Sequence, residues 1–210
     1  MASSKVIFWD VDTQADFMLP GGKLYVPGAE KIIPNLQRLV DAARHGEVLL
    51  VSSADAHTPQ DEEFRQWPPH CVKGTPGQRK IPETLTEQLR VVVNQPDTEI
   101  PASLDKTRQL ILEKQTLDVF DNPNTDKLLE RLDRDAEFVV FGVVTEYCVR
   151  CAAAGLLNRG RRVALVTDAI ETLHPADGQR TLDELTAKGA RLLTTDAALA
   201  LVSRSVARTA

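Results

Sequence analysis

Short apolar runs alternate with longer stretches in which apolar residues recur every three or four positions. The runs are Lys5–Val11, Val48–Ser53, Gln109–Glu113, Phe138–Val144, Arg162–Thr167 and Arg191–Thr194. They are rich in β-branched residues and short, as strands buried on both faces of a parallel sheet are. Between them lie segments of helical period. Ala29–Arg44 carries Ile32, Ile33, Leu36, Leu39, Val40 and Ala43 on one side and closes at His45-Gly46. Ile81–Val93, with Pro82 in its first turn, Thr125–Arg134, Glu146–Asn158, Pro175–Lys188 and Asp196–Arg204 follow the same pattern. Val91-Val92-Val93 fits a strand equally well, and Asn94–Ser103 reads as loop. The alternation predicts an α/β protein: a three-layer α/β/α fold with a mainly parallel, Rossmann-like central sheet, formed as one domain over residues 1–210.

Composition narrows the function classes. Hydrophobic residues make up 42% and charged residues 26%, the balance of an ordinary globular protein. A formal net charge of −5 argues against nucleic acid or an anionic membrane as the main partner. Met1–Lys5 runs straight into a strand without a signal-peptide core, and no apolar run is long enough to span a bilayer. Three cysteines do not make a disulfide framework, so a reducing cytoplasm is the simplest location. These features point to a small-molecule partner and leave a homo-oligomer open.

The chemistry gathers at strand ends. In open parallel sheets, sites form outside the carboxyl ends of the strands. The first run ends at Asp10 and Asp12, with Asp16 beyond. They read equally as catalytic acids or as loop and cap acids. The second run leads into Asp55, His57, Asp61, Glu62, Glu63 and His70. Asp-x-His puts two side chains on one side of an extended segment, and two imidazoles with one or two carboxylates suit Zn²⁺, Fe²⁺ or Mn²⁺. A polar surface loop is the alternative. Lys114 ends the Gln109–Glu113 run, as an electrostatic partner or simply an exposed lysine. Cys148 sits where the run Phe138–Val144, paused only at Gly142, turns into a helix. Unpaired N–H groups at a helix start lower a thiol's pKa and can hold an oxyanion, so Cys148 has the surroundings of a nucleophile. A small buried hydrophobe is the other reading. Cys151 follows at Cys-x-x-Cys spacing, with nothing else to support redox chemistry.

Taken together, Asp12-Thr-Gln-Ala-Asp-Phe17, Asp55-Ala-His57, Trp67-Pro-Pro-His70-Cys-Val-x-Gly-Thr-Pro-Gly77, Lys114 and Gly142-Val-Val-Thr-Glu-Tyr-Cys148 resemble the isochorismatase-like cysteine hydrolases, within them the nicotinamidases. The resemblance runs from about Lys5 to Thr195. It implies a catalytic triad of Asp12, Lys114 and Cys148. It implies a divalent metal, Zn²⁺ foremost, held by Asp55, His57 and His70, with Glu63 where some relatives have a further carboxylate. It implies an aromatic clamp of Phe17 and Trp67, and a cis peptide at Val144–Thr145 that turns N–H groups of Thr145 and Cys148 toward an oxyanion. The activity implied is hydrolysis of nicotinamide to nicotinate and ammonia through a cysteine thioester. A related cysteine hydrolase acting on another small carboxamide or ureido compound is the alternative, because Gln88–Arg108 and Gln115–Asn122, the pocket walls in the family, are unfamiliar here.

Overall fold

The computed structural model describes residues 6–101 and 103–207; Met1–Lys5, with the predicted first residue of the opening strand, lie outside this range, as does Ala102 in the predicted loop. In chain order the elements are β1 (Val6–Val11), the single turn α1 (Ala15–Met18), α2 (Ala29–Arg44), β2 (Leu49–Asp55), β3 (Leu89–Val92), β4 (Gln109–Lys114), α3 (Asn124–Arg131), β5 (Glu137–Val143), α4 (Arg150–Asn158), β6 (Arg162–Glu171), α5 (Pro175–Ala187), β7 (Arg191–Leu193) and α6 (Thr195–Ala207). The seven strands form one sheet in the order β3-β4-β2-β1-β5-β6-β7, with every neighbouring pair parallel.

Side chains alternate across the sheet and build a core on each face. Ile7, Trp9 and Val11 of β1 join Leu110 and Leu112 of β4, Leu128 and Leu129 of α3, Ala152, Ala153 and Leu156 of α4 and Leu185 of α5. Phe8, between them, faces the other way with Leu36, Leu39 and Val40 of α2 and Ala198 and Val202 of α6. This is why β1 and β5 read as nearly continuous apolar runs: both faces are covered. Gly142 interrupts β5 for a local reason. Its φ is +116° and a Cβ there would come 2.1 Å from the Val11 carbonyl oxygen, so only glycine allows β1 and β5 this close. The β5–β6 register shifts at the same place, and β6 continues to Glu171, beyond its predicted end.

The predicted helix Ile81–Val93 does not form. Pro82–Thr84 makes one tight turn, and Leu89–Val92 extends as an edge strand beside β4. The β-branched Val91-Val92-Val93 prefers a pleated surface, and the Gln88 carbonyl takes the N–H groups of Arg108 and Gln109 at 2.8 and 3.2 Å. Among the described residues, no helix is long and apolar enough to cross a membrane.

Candidate active site

β4, β2, β1 and β5 are four adjacent interior strands, and their carboxyl ends meet at one edge. Lys114, the last residue of β4, is 1% exposed and connects the groups delivered there. Its Nζ lies 2.9 Å from Asp12 Oδ2, donates to Asp55 Oδ1 and to the Thr116 carbonyl at 3.0 Å, and stands 3.5 Å from Cys148 Sγ. Asp12 follows β1 in a left-handed turn, φ 49°, and accepts from Ser53 Oγ at 2.6 Å. Cys148 sits in one wide turn, Thr145–Val149, that opens α4. A buried ammonium is stable only with compensating carboxylates, and a buried carboxylate only with donors; each group here is the other's condition.

The same burial sets the protonation. It pushes the Cys148 thiol well above its ordinary value, with the pull of Lys114 too weak to reverse the effect. The helix start therefore does not make a standing thiolate, as its place in the sequence suggested: the sulfur is buried, and the carboxylates of Asp12 and Asp55 oppose its negative charge. Asp12 is also raised by burial, against the pull of Lys114. Burial alone would raise Asp55 too, but Lys114, His57 and His70 outweigh it and hold its carboxyl well below the usual range. Lys114 stays charged, because Asp12 and Asp55 outweigh the desolvation that would discharge it.

Asp55 uses its two oxygens in different directions. Oδ1 meets Lys114, while Oδ2 lies 3.6 Å from His57 Nε2 and 3.7 Å from His70 Nε2. One ligand atom from each of Asp55, His57 and His70 falls within 4.8 Å of the others, and all three side chains are buried. Neither buried ring nitrogen of His57 has a hydrogen-bond partner inside the protein, and of the two it is Nε2 that faces the Asp55 carboxylate. One carboxylate and two imidazoles thus fit a divalent ion of the Zn²⁺, Fe²⁺ or Mn²⁺ type. Glu63 Oε1 is 3.9 Å from His70 Nε2 and faces the site from outside this cluster. The loop bearing these residues is held by buried polar contacts. Gln14 Nε2 donates to the carbonyls of Asp55 and Gln78 at 2.8 and 2.7 Å, and its Oε1 takes the Asp55 N–H at 2.7 Å. Asp16 accepts the N–H groups of Cys71 and Lys23 at 2.7 and 2.9 Å. Gly77 passes so close that a Cβ would meet the Asp16 carboxylate at 2.2 Å.

Above Cys148 lies a cleft walled by Phe17, Leu24, Val26, Trp67, Leu117, Tyr147 and Leu173, with Asp55, Glu63 and His70 toward its floor. Its empty volume, open mouth included, is about 400 Å³. The walls are mainly apolar and aromatic, and the space is that of a small-molecule site. The isochorismatase domain family matches residues 7–197. The chain belongs to this family. It is 25% identical to the nicotinamidase of Escherichia coli over 88% of this chain and 92% of that one. Among solved structures it is similar to the pyrazinamidase of Pyrococcus horikoshii in complex with zinc, with 28% identity, a TM-score of 0.71 and coverage of 90% of this chain and 99% of that one. It is also similar to N-carbamoylsarcosine amidase from Thermoplasma acidophilum, with 26% identity, a TM-score of 0.70 and coverage of 90% and 96%.

In this member of the isochorismatase family the fold brings Asp12, Lys114 and Cys148 into contact, groups Asp55, His57 and His70, and sets Phe17 and Trp67 on one cleft. Two expectations are corrected. The non-proline cis peptide joins Val143 to Val144, not Val144 to Thr145. Val143 is the last residue of β5 and Thr145 already belongs to the first turn, so the cis bond falls at the strand's end, one residue before the expected place. The cleft takes Leu117 from the Gln115–Asn122 stretch, and no described residue of Gln88–Arg108 lines it. That segment is the sheet edge, and it meets the Gln115–Asn122 wall from behind: Asn94 donates to Gln115 at 2.6 Å, and Asn122 donates to the Val92 carbonyl at 3.3 Å. Four contributors escaped the sequence reading. Gln14, Ser53 and Phe64 act through buried contacts that no spacing announces, with Phe64 packed 5.2 Å from the His57 ring. Tyr147 stacks edge-on with Trp67 at 5.4 Å, and its place beside Cys148 was the available signal.

Proposed function

We propose that the chain is a metal-dependent cysteine amidohydrolase whose substrate is nicotinamide, converted with water to nicotinate and ammonia. The observation that carries this reading is the contact of Lys114 with both Asp12 and Cys148 at the base of an apolar cleft. In the resting site the sulfur holds its proton, since burial raises the thiol. As Cys148 Sγ attacks the carboxamide carbon, Asp12 takes that proton and Lys114 balances the charge that builds on sulfur. The N–H groups of Thr145 and Cys148, at the start of a helical turn, serve the tetrahedral oxyanion. Asp12 then returns the proton to the departing ammonia, and water enters to hydrolyse the thioester with Asp12 again as base. Phe17, Trp67 and Tyr147 grip the flat ring. Asp55, His57 and His70 would hold the divalent ion, Zn²⁺ first, which when bound supplies attraction for a ring lone pair and so orients the substrate.

A second reading keeps the triad and changes the substrate to another small carboxamide or ureido compound. The similarity to N-carbamoylsarcosine amidase favours it. Ammonia release from nicotinamide and a panel of small amides and ureido acids, with protein stripped by chelator and reloaded with Zn²⁺, Fe²⁺ or Mn²⁺, separates the two. Metal-dependent release from nicotinamide supports the first. Release only from another amide rejects nicotinamide and keeps the triad.

A further inference from the structure

His57 has two ring nitrogens with different surroundings. Nε2 points toward Asp55 Oδ2 at 3.6 Å, on the side of the metal cluster. Nδ1, on the opposite side of the ring, lies 3.2 Å from Asp61 Oδ2, an ion-pair contact within hydrogen-bond distance but without hydrogen-bond alignment in this structure. The other Asp61 oxygen accepts the Glu63 N–H at 3.2 Å and so caps the turn Glu62–Arg65. Asp61 is therefore pinned by its own loop, with its free oxygen aimed at a fully buried ring. The backbone of His57 is fixed on both sides, its amide N–H donating to the Cys71 carbonyl at 3.2 Å and its carbonyl accepting from the Lys73 amide at 2.9 Å, and Phe64 packs against the ring at a tilt with centroids 5.2 Å apart.

An imidazole can offer a lone pair at Nε2 only if its proton sits on Nδ1. His70 meets this condition through a backbone carbonyl: its Nδ1 lies 2.8 Å from the Pro68 oxygen, which can only accept. We propose that Asp61 is the positioning residue that does the same for His57, fixing the Nδ1–H tautomer so that Nε2 is kept for the metal ion. The inference rests on the metal-site reading above. The Pro68 carbonyl and the Asp61 carboxylate are thus two unrelated groups imposing one tautomer on two ligands, and outer partners of this kind govern ligand basicity and ring orientation.

The test is Asp61→Asn. Asparagine remains a good cap, but its amide has one oxygen. It must turn its NH₂ toward either His57 Nδ1 or the Glu63 N–H, both donors. Imidazole ¹⁵N spectra at alkaline pH read the tautomers directly, and the chain has only four histidines to assign. Wild type is expected to carry the His57 proton on Nδ1, and the variant to shift population to Nε2–H. Zn²⁺ affinity by chelator competition should fall about 10–100-fold, with the melting temperature of the zinc-free protein little changed. An unchanged tautomer with affinity within about threefold of wild type overturns the proposal. A wild-type protein that binds no Zn²⁺ overturns the metal reading itself and this inference with it, an outcome distinct from a variant that binds as well as wild type.

Discussion

Replacing Lys114 by methionine removes one charge and exposes what that charge was balancing. The side chain is 1% exposed, and its Nζ serves Asp12, Asp55, the Thr116 carbonyl and Cys148. Methionine fills the space but leaves two carboxylates facing each other in a dry site. Breaking a buried ion pair from one side costs about 3–5 kcal/mol, since the remaining charge stays uncompensated. The catalytic loss is separate: without the ammonium the thiol rises further and Asp12 prefers its proton, so turnover should drop at least about 10²–10³-fold. Urea unfolding and ammonia release, both at neutral pH, read the two effects. The double variant Lys114→Met/Asp55→Asn separates them again. It removes one stranded charge, so part of the stability should return while activity does not. A Lys114→Met protein that unfolds like wild type, or keeps its turnover within about tenfold, refutes the argument that this lysine links structure and chemistry.

Ser53→Ala removes the 2.6 Å hydrogen bond that favours ionised Asp12. The Asp12 pKa should rise, so the acid limb of the kcat/KM profile moves to higher pH and the loss is larger at low pH than at high; an unmoved limb refutes Asp12 as base. Gln14→Ala orphans the buried Asp55 N–H, at a cost of about 1–3 kcal/mol, and loosens Asp55. Metal affinity should fall along with the urea midpoint. Zn²⁺ at 100 times its Kd should stabilise the protein by about 2.7 kcal/mol, read as a rise in Tm, and His57→Ala should abolish the rise. A rise retained in His57→Ala rejects the cluster as the metal site.

The layers of the fold were legible because burial on both sheet faces writes itself as apolar runs and one-sided burial as helical period. Over Ile81–Val93 the helix gives way to the strand that Val91-Val92-Val93 also allowed, and the sequence did not separate the two because this edge strand is only partly covered. Leu89 is half-buried and Val91 exposed, so its apolar residues imitate a helix. The site was legible where chemistry demands rare residues at strand ends, as with Asp12, Asp55, His57, Lys114 and Cys148. It was illegible where ordinary residues act through distant contacts: Gln14 and Asp55 lie 41 positions apart, as do Ser53 and Asp12. The Cys148 protonation state was also beyond the sequence, because position at a helix start predicts a lower thiol pKa and only the depth of burial reverses it.

The central claim is covalent: Cys148 carries the acyl group of nicotinamide during turnover. Acid-quenching zinc-loaded enzyme within the first turnovers and mapping its peptides by mass spectrometry tests this directly. A nicotinoyl adduct is expected on Cys148 and none on Cys71 or Cys151, vanishing in Cys148→Ser as ammonia release is lost. Turnover that persists in Cys148→Ser, or an acyl group found only on another residue, would contradict it.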